Sequence, residues 1–145
     1  MTMTFSELEY IRYLNDMING RLLHLAELKS KAYPGAITYD DSGASKPMPV
    51  NKLELVYELI DEEERLINRL IDKRIRLKRR AVYEIQHSGM SQAERHILYL
   101  RYLSRNMNTG ENLELSECRK YIAKYHNITD RHIYRLQHIA LMKLG

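Results

Sequence analysis

Punctuation is scarce in this chain: its 145 residues include only 3 prolines and 6 glycines. That scarcity argues against an architecture of short strands and turns. With 44% apolar and 29% charged residues, the composition fits a helix-rich globular protein rather than a disordered one. The length suits one compact unit plus an extension. A single cysteine, Cys118, excludes an internal disulfide. The start, Met1-Thr-Met-Thr-Phe-Ser-Glu-Leu-Glu9, lacks the basic and apolar regions of a secretory signal, so a cytoplasmic location is expected. No run approaches the roughly 20 apolar residues that cross a bilayer, so no membrane partner is expected.

The equipment of an enzyme is missing too. There is no Gly-rich phosphate loop, and Ser91 and Ser116 suit helix caps better than nucleophiles. His126, His132 and His138 are six apart, which turns successive imidazoles to different sides of a helix, and a lone cysteine adds no zinc pair. Asp61-Glu62-Glu63-Glu64 reads as a solvated face, because adjacent helical positions diverge and Asp61 has Arg65 one turn on. Asn127-Ile128-Thr129 matches a glycosylation sequon but is more simply a turn and a cap. The expectation is a non-enzyme with no cofactor, no metal and no small-molecule substrate.

What is present is an uneven distribution of charge. Residues 1–87 carry 14 basic and 14 acidic side chains, residues 88–145 carry 9 and 5, so the whole net charge of +4 lies in the last 58 residues. A polyanionic partner should bind there.

Residues 1–87 read as a long antiparallel helical hairpin with a coiled-coil-like seam. Thr4-Phe5-Ser6-Glu7 is a capping box, and Ile11, Leu14, Ile18, Leu25 and Leu28 recur with gaps of three and four until Pro34-Gly35, missing only position 21, where Arg21 stands and Leu22 replaces it. The stretch 33–50 contains every proline and forms a long loop. Asn51-Lys52-Leu53-Glu54 offers a second cap, after which Leu53, Tyr57, Ile60, Ile67, Ile71, Ile75, Val82 and Ile85 define one face. Leu22, Leu23, Leu66 and Leu70 widen the apolar stripe beyond a single seam. A dimer or partner surface is therefore expected on Ile11, Leu14, Ile18, Leu22, Leu25, Ile60, Ile67 and Leu70, most simply in a homodimer.

Residues 88–145 read as a three-helix module. Ser88-Gly89 ends the second long helix and Ser91-Gln92-Ala93-Glu94 caps a short one carrying Ile97, Leu98, Leu100 and Leu103. A polar turn, Arg105 to Asn112, leads to a helix marked by Cys118, Ile122 and Ala123. The tight connection His126-Asn127-Ile128 precedes a last helix with the buried stripe Ile133, Leu136, Ala140 and Leu144. Short helix, tight turn and longer basic helix make a helix-turn-helix pattern. On the last helix Arg131, Tyr134, Arg135 and His138 face away from the core, with His132 near the boundary, and these five are the candidate base readers. Lys120, Lys124, Arg95, Arg101 and Arg105 are candidate phosphate contacts. Tyr99, Tyr102, Tyr121 and Tyr125 are expected in or around the core. The run Lys73-Arg74-Ile75-Arg76-Leu77-Lys78-Arg79-Arg80 wraps a buried stripe and can add an auxiliary phosphate patch.

The segments Ser91-Gln-Ala-Glu-Arg-His-Ile-Leu-Tyr-Leu-Arg-Tyr-Leu103 and Thr129-Asp-Arg-His-Ile-Tyr-Arg-Leu-Gln-His-Ile-Ala-Leu-Met-Lys-Leu144 resemble the first and last helices of sigma factor region four. The layout, a hairpin with a Pro/Gly/Ser loop ahead of that module, is similar to phage late-gene transcription activators of the ArpU and RinA type. The connection from Ser104 to Leu115 is longer than the usual turn. The resemblance implies a phage or mobile-element protein of the bacterial cytoplasm that binds promoter DNA and contacts host RNA polymerase. The expectation is thus an all-α protein, hairpin 1–87 followed by helix-turn-helix module 88–145, that binds double-stranded DNA sequence-specifically in transcription regulation. The alternative is a phage-type interaction or inhibitor protein that binds a host or defence protein through its basic helical face.

Overall fold

A computed structural model describes residues 3–32 and 50–144, so the expected 33–50 loop lies outside the described residues except for Val50. The fold is all-α: α1 (Phe5–Ala32), α2 (Val50–His87), α3 (Gln92–Leu98), α4 (Leu115–His126) and α5 (Asp130–Leu144), with α3 running straight into a π-helical turn, Tyr99–Leu103. The ends follow local chemistry. Glu7 N–H donates to Thr4 Oγ1 at 3.3 Å, as the capping box requires, but the Glu7 carboxylate accepts from the Thr4 hydroxyl and pairs with Arg80 at 2.8 Å. Gly89, at φ +69°, follows the end of α2 in the left-handed region that costs glycine nothing. Ser91 accepts from Glu94 N–H at 3.2 Å and opens α3.

Two compact units result, and both long helices contribute to each. One comprises Met17–Ile71, the other Met1–Asp16 with Asp72–Gly145. In the first, α1 and α2 run antiparallel, with Leu25, Leu28 and Ala32 packed on Ile60 and Ile67. Around the buried Glu63 carboxylate stand Arg21 at 3.4 Å and His24 at 3.5 Å. In the second unit, Met3, Leu8 and Ile11 join Ala81, Ile85, Leu98, Tyr102, Ala140 and Leu144 in one cluster, while Ile97, Leu113, Cys118, Ile122 and Ile133 make another. A fully buried Leu or Ile contributes about 1.5–3 kcal/mol relative to exposure. The C-terminal helices thus close their core with the first turns of α1 and the last of α2.

Burial corrects the expected partner surface. Ile11, Leu14, Ile18, Leu25, Ile60 and Ile67 are buried inside the chain; of the eight residues only Leu22 is exposed and Leu70 half-buried. The α1 and α2 seams cover each other, which leaves none of those six for a partner. The stripe read on α2 also slips. Strict seven-residue spacing buries Ile60, Ile67, Arg74 and Ala81, whereas Tyr57 and Ile75 are 41% and 44% exposed. Hydrophobicity selected Ile75 as the marker, although the seam position one residue earlier holds an arginine.

That arginine begins a buried polar chain. Arg74 Nη1 donates to Asn15 Oδ1 at 2.9 Å, and Asn15 Nδ2 donates to Asn112 Oδ1 at 2.7 Å. Asn112 Nδ2 in turn donates to the Arg12 carbonyl at 2.9 Å and to Asp16 Oδ1 at 3.1 Å. The connection between the π-turn and α4 is therefore an anchored structure. Arg105 and Asn112 bridge its ends, and Asn106 Oδ1 accepts from the backbone of Asn108 and Thr109 at 2.8 and 3.1 Å. Asn112→Ala leaves the Asn15 amide unsatisfied in a dry site. The expected loss is about 1–3 kcal/mol of unfolding free energy by urea denaturation, with hydrogen exchange at residues 105–112 accelerated more than in α5.

Candidate nucleic-acid interface

The module that carries the expected interface is set by three apolar contacts and one ion pair. Cys118 and Ile122 of α4 and Ile133 of α5 meet Ile97 of α3. Burial pushes the Cys118 thiol up, which keeps it protonated as a core group. At the other end of α5, Lys143 Nζ lies 2.9 Å from the buried Glu94 carboxylate at the start of α3. Residues 127–129 turn α4 into α5, with Asn127 at φ 55°, a left-handed position that asparagine tolerates better than other non-glycine residues.

With Ile133, Leu136, Ala140 and Leu144 buried, the opposite side of α5 is open, and Arg131, His132, Tyr134, Arg135 and His138 are all exposed. Arg131 and Arg135 are one turn apart on the same face, with Tyr134 and His138 beside them. The helix is about 22 Å long, and its cylinder with side chains is about as wide as a DNA major groove. Tyr134 is already engaged: the Arg119 guanidinium lies 4.8 Å from its ring centroid. Lys120 and Lys124 project from α4. None of Arg131, Arg135, Lys120 and Lys124 has an ion pair among the described residues, so no described residue cancels their charge.

The expected phosphate set divides. Lys120, Lys124 and Arg105 are exposed, but Arg101 is half-buried and donates through Nη1 to the Leu113 carbonyl at 3.4 Å, a contact that ties the π-turn to the start of α4. Arg95 is also half-buried, beside His96 in a cavity of about 430 Å³ that Tyr125 and His126 complete. The tyrosines divide as well. Tyr102 is core at 1% exposure, with Phe5 edge-on at 6.2 Å, and Tyr99 is half-buried, but Tyr121 and Tyr125 are 58% and 71% exposed. They flank the Cys118/Ile122 seam rather than lying on it, and helical spacing alone does not separate flank from seam.

Sequence reasoning missed the histidine pair. His96 Nδ1 and His126 Nε2 are 3.1 Å apart, and Tyr125 stands edge-on to both rings. Thirty positions separate them, so no local spacing signals their contact. The hydrogen bond needs one ring to donate and the other to accept, which a doubly protonated pair cannot do. Burial, and then the neighbouring His126, push the His96 pKa below 6.5. A folded-state value below the unfolded one means that the native form takes up fewer protons as pH falls through this range, so stability drops with it. Thermal midpoints measured from pH 7.5 downward should fall once pH passes below about 6.5, and His96→Gln should flatten that slope.

Comparison with protein-family models, curated proteins and solved structures gives no significant match.

Proposed function

We propose that this chain binds double-stranded DNA sequence-specifically in transcription regulation, with α5 lying in the major groove. One observation carries the reading. Arg131 and Arg135 stand one turn apart, exposed and without an ion pair among the described residues, on a helix whose other side is fully committed to the core. Arginines so placed can pair bidentately with guanine, while Lys120 and Lys124 fix orientation on phosphate. The resemblance to sigma region four and to phage late-gene activators points the same way and adds host RNA polymerase as a partner in the bacterial cytoplasm. Two half-sites would be met by a homodimer. For its contact surface, the described residues of Met17–Ile71 offer the exposed Leu22, Leu23, Leu55 and Leu59 rather than the buried seam residues.

Selection from a random duplex pool should yield a defined motif. On that motif Arg131→Ala or Arg135→Ala should cost about 1–3 kcal/mol and relax the preference at one position. Lys120→Ala should weaken all sequences alike and reduce the salt slope by about 1. A paired motif together with light scattering of a dimer at high micromolar concentration supports the homodimer; a monomer there rejects it.

The exposed Tyr121 and Tyr125, beside Lys120 and Lys124, favour a second reading, since tyrosine with basic neighbours also makes protein-binding surfaces. In that reading the chain is a phage-type inhibitor or interaction protein that docks on a host or defence protein. No motif from the pool, and no salt-dependent duplex affinity, would decide for it.

A further inference from the structure

Positive charge also gathers away from α5, where the seam of α2 comes close to the 105–112 loop. Lys78 of α2 and Arg105 of the loop line a concavity of about 570 Å³, whose wall continues through Asn106, Asn108 and Tyr121. Behind it, one turn before Lys78, is the buried Arg74. Its hydrogen bond goes to the neutral Asn15, which brings no counter-charge. Glu117 is the carboxylate on the rim, but it is exposed, and neither Lys78 nor Arg105 forms an ion pair among the described residues.

The cost of that gathering falls on Lys78 and Arg74. Burial, then Arg74, then Arg105, push the Lys78 ammonium down to about 8, and burial with Arg105 lowers Arg74. Like charges held together in a half-dry recess are unfavourable unless an anion joins them. The donors suit one chemistry. Arg105 offers a planar fork and Lys78 a point charge. Asn106 spends its oxygen on the backbone of Asn108 and Thr109, which leaves its side-chain NH2 to donate. Donors of several types lining one recess suit a phosphoryl group, which presents three acceptor oxygens.

We propose that Lys78 and Arg105, backed by Arg74, form a phosphoryl-anion site in this concavity. The site does not rest on the major-groove reading. Its phosphoryl group belongs either to a DNA backbone or to a free nucleotide polyphosphate, and the contact chemistry is shared.

Inorganic pyrophosphate, titrated calorimetrically into the full chain at neutral pH and low salt, should bind saturably. Lys78→Met or Arg105→Ala should weaken it about tenfold or more, Lys78→Arg should retain most of it, and Lys52→Met should leave it unchanged. Without anion, Lys78→Met should melt no lower than the parent chain, because it removes a repelled charge, and this separates lost binding from lost folding. Absence of saturable binding at millimolar pyrophosphate, or binding unaltered in the Lys78→Met/Arg105→Ala double variant, overturns the site. Duplex DNA added to the pyrophosphate complex distinguishes the sources. Displacement assigns the site to the DNA backbone, and simultaneous occupancy assigns it to a free anion; a chain that binds no DNA still gives the pyrophosphate result.

Discussion

A guanidinium removed from water and held by a neutral amide organises the larger unit. Arg74 occupies a seam position where an aliphatic side chain would pack without difficulty, and Asn15 opposite it is fully buried. An isolated charge there would be costly, and it is tolerated because each polar group hands on a hydrogen bond, from Arg74 to Asn15 to Asn112 and on to the backbone of α1. The chain of bonds ends in the connection that precedes α4. An interaction within the helical seam therefore sets where α4 begins, and through the three-residue turn after it, where α5 lies.

Much of this was legible from the sequence because it follows from periodicity and capping. The four apolar positions assigned to α5 are the four that are buried, the Ser91 cap forms as expected, and α4 and α5 start where turn residues placed them, whereas α3 stops at Leu98 inside the apolar run and gives way to the π-turn Tyr99–Leu103. The failures share a cause. An apolar pattern cannot register a buried charge, so it marks Ile75 where the seam holds Arg74, and helical spacing does not separate the flanking Tyr121 and Tyr125 from the Cys118/Ile122 seam. The His96–His126 pair and the Lys78–Arg105 recess join residues about 30 positions apart in sequence, and neither composition nor spacing encodes such meetings.

The two positively charged regions differ in how the fold maintains them. On α5 and α4 the charges face solvent, where repulsion is screened and side chains can separate. In the recess the separation is fixed by α2 and by the bridged loop, so repulsion persists as a property of the folded state. Arg95 and Arg101 show another outcome: both are half-buried, and Arg101 is committed to the Leu113 carbonyl, which is why counting basic residues overstates what is available to a ligand.

The opening residues of the chain find their partners very late. Met3, Leu8 and Ile11 share their cluster with residues from Leu77 onward, and the bond from Asn112 to the Arg12 carbonyl spans 100 positions. On a ribosome, the first turns of α1 emerge long before α5, and the cluster closes only when α5 has been made. Nor is the C-terminal part a portable cassette. A fragment starting at residue 88 would carry α3, α4 and α5 but expose Leu98, Tyr102, Ala140 and Leu144 on the side where α1 and α2 belong.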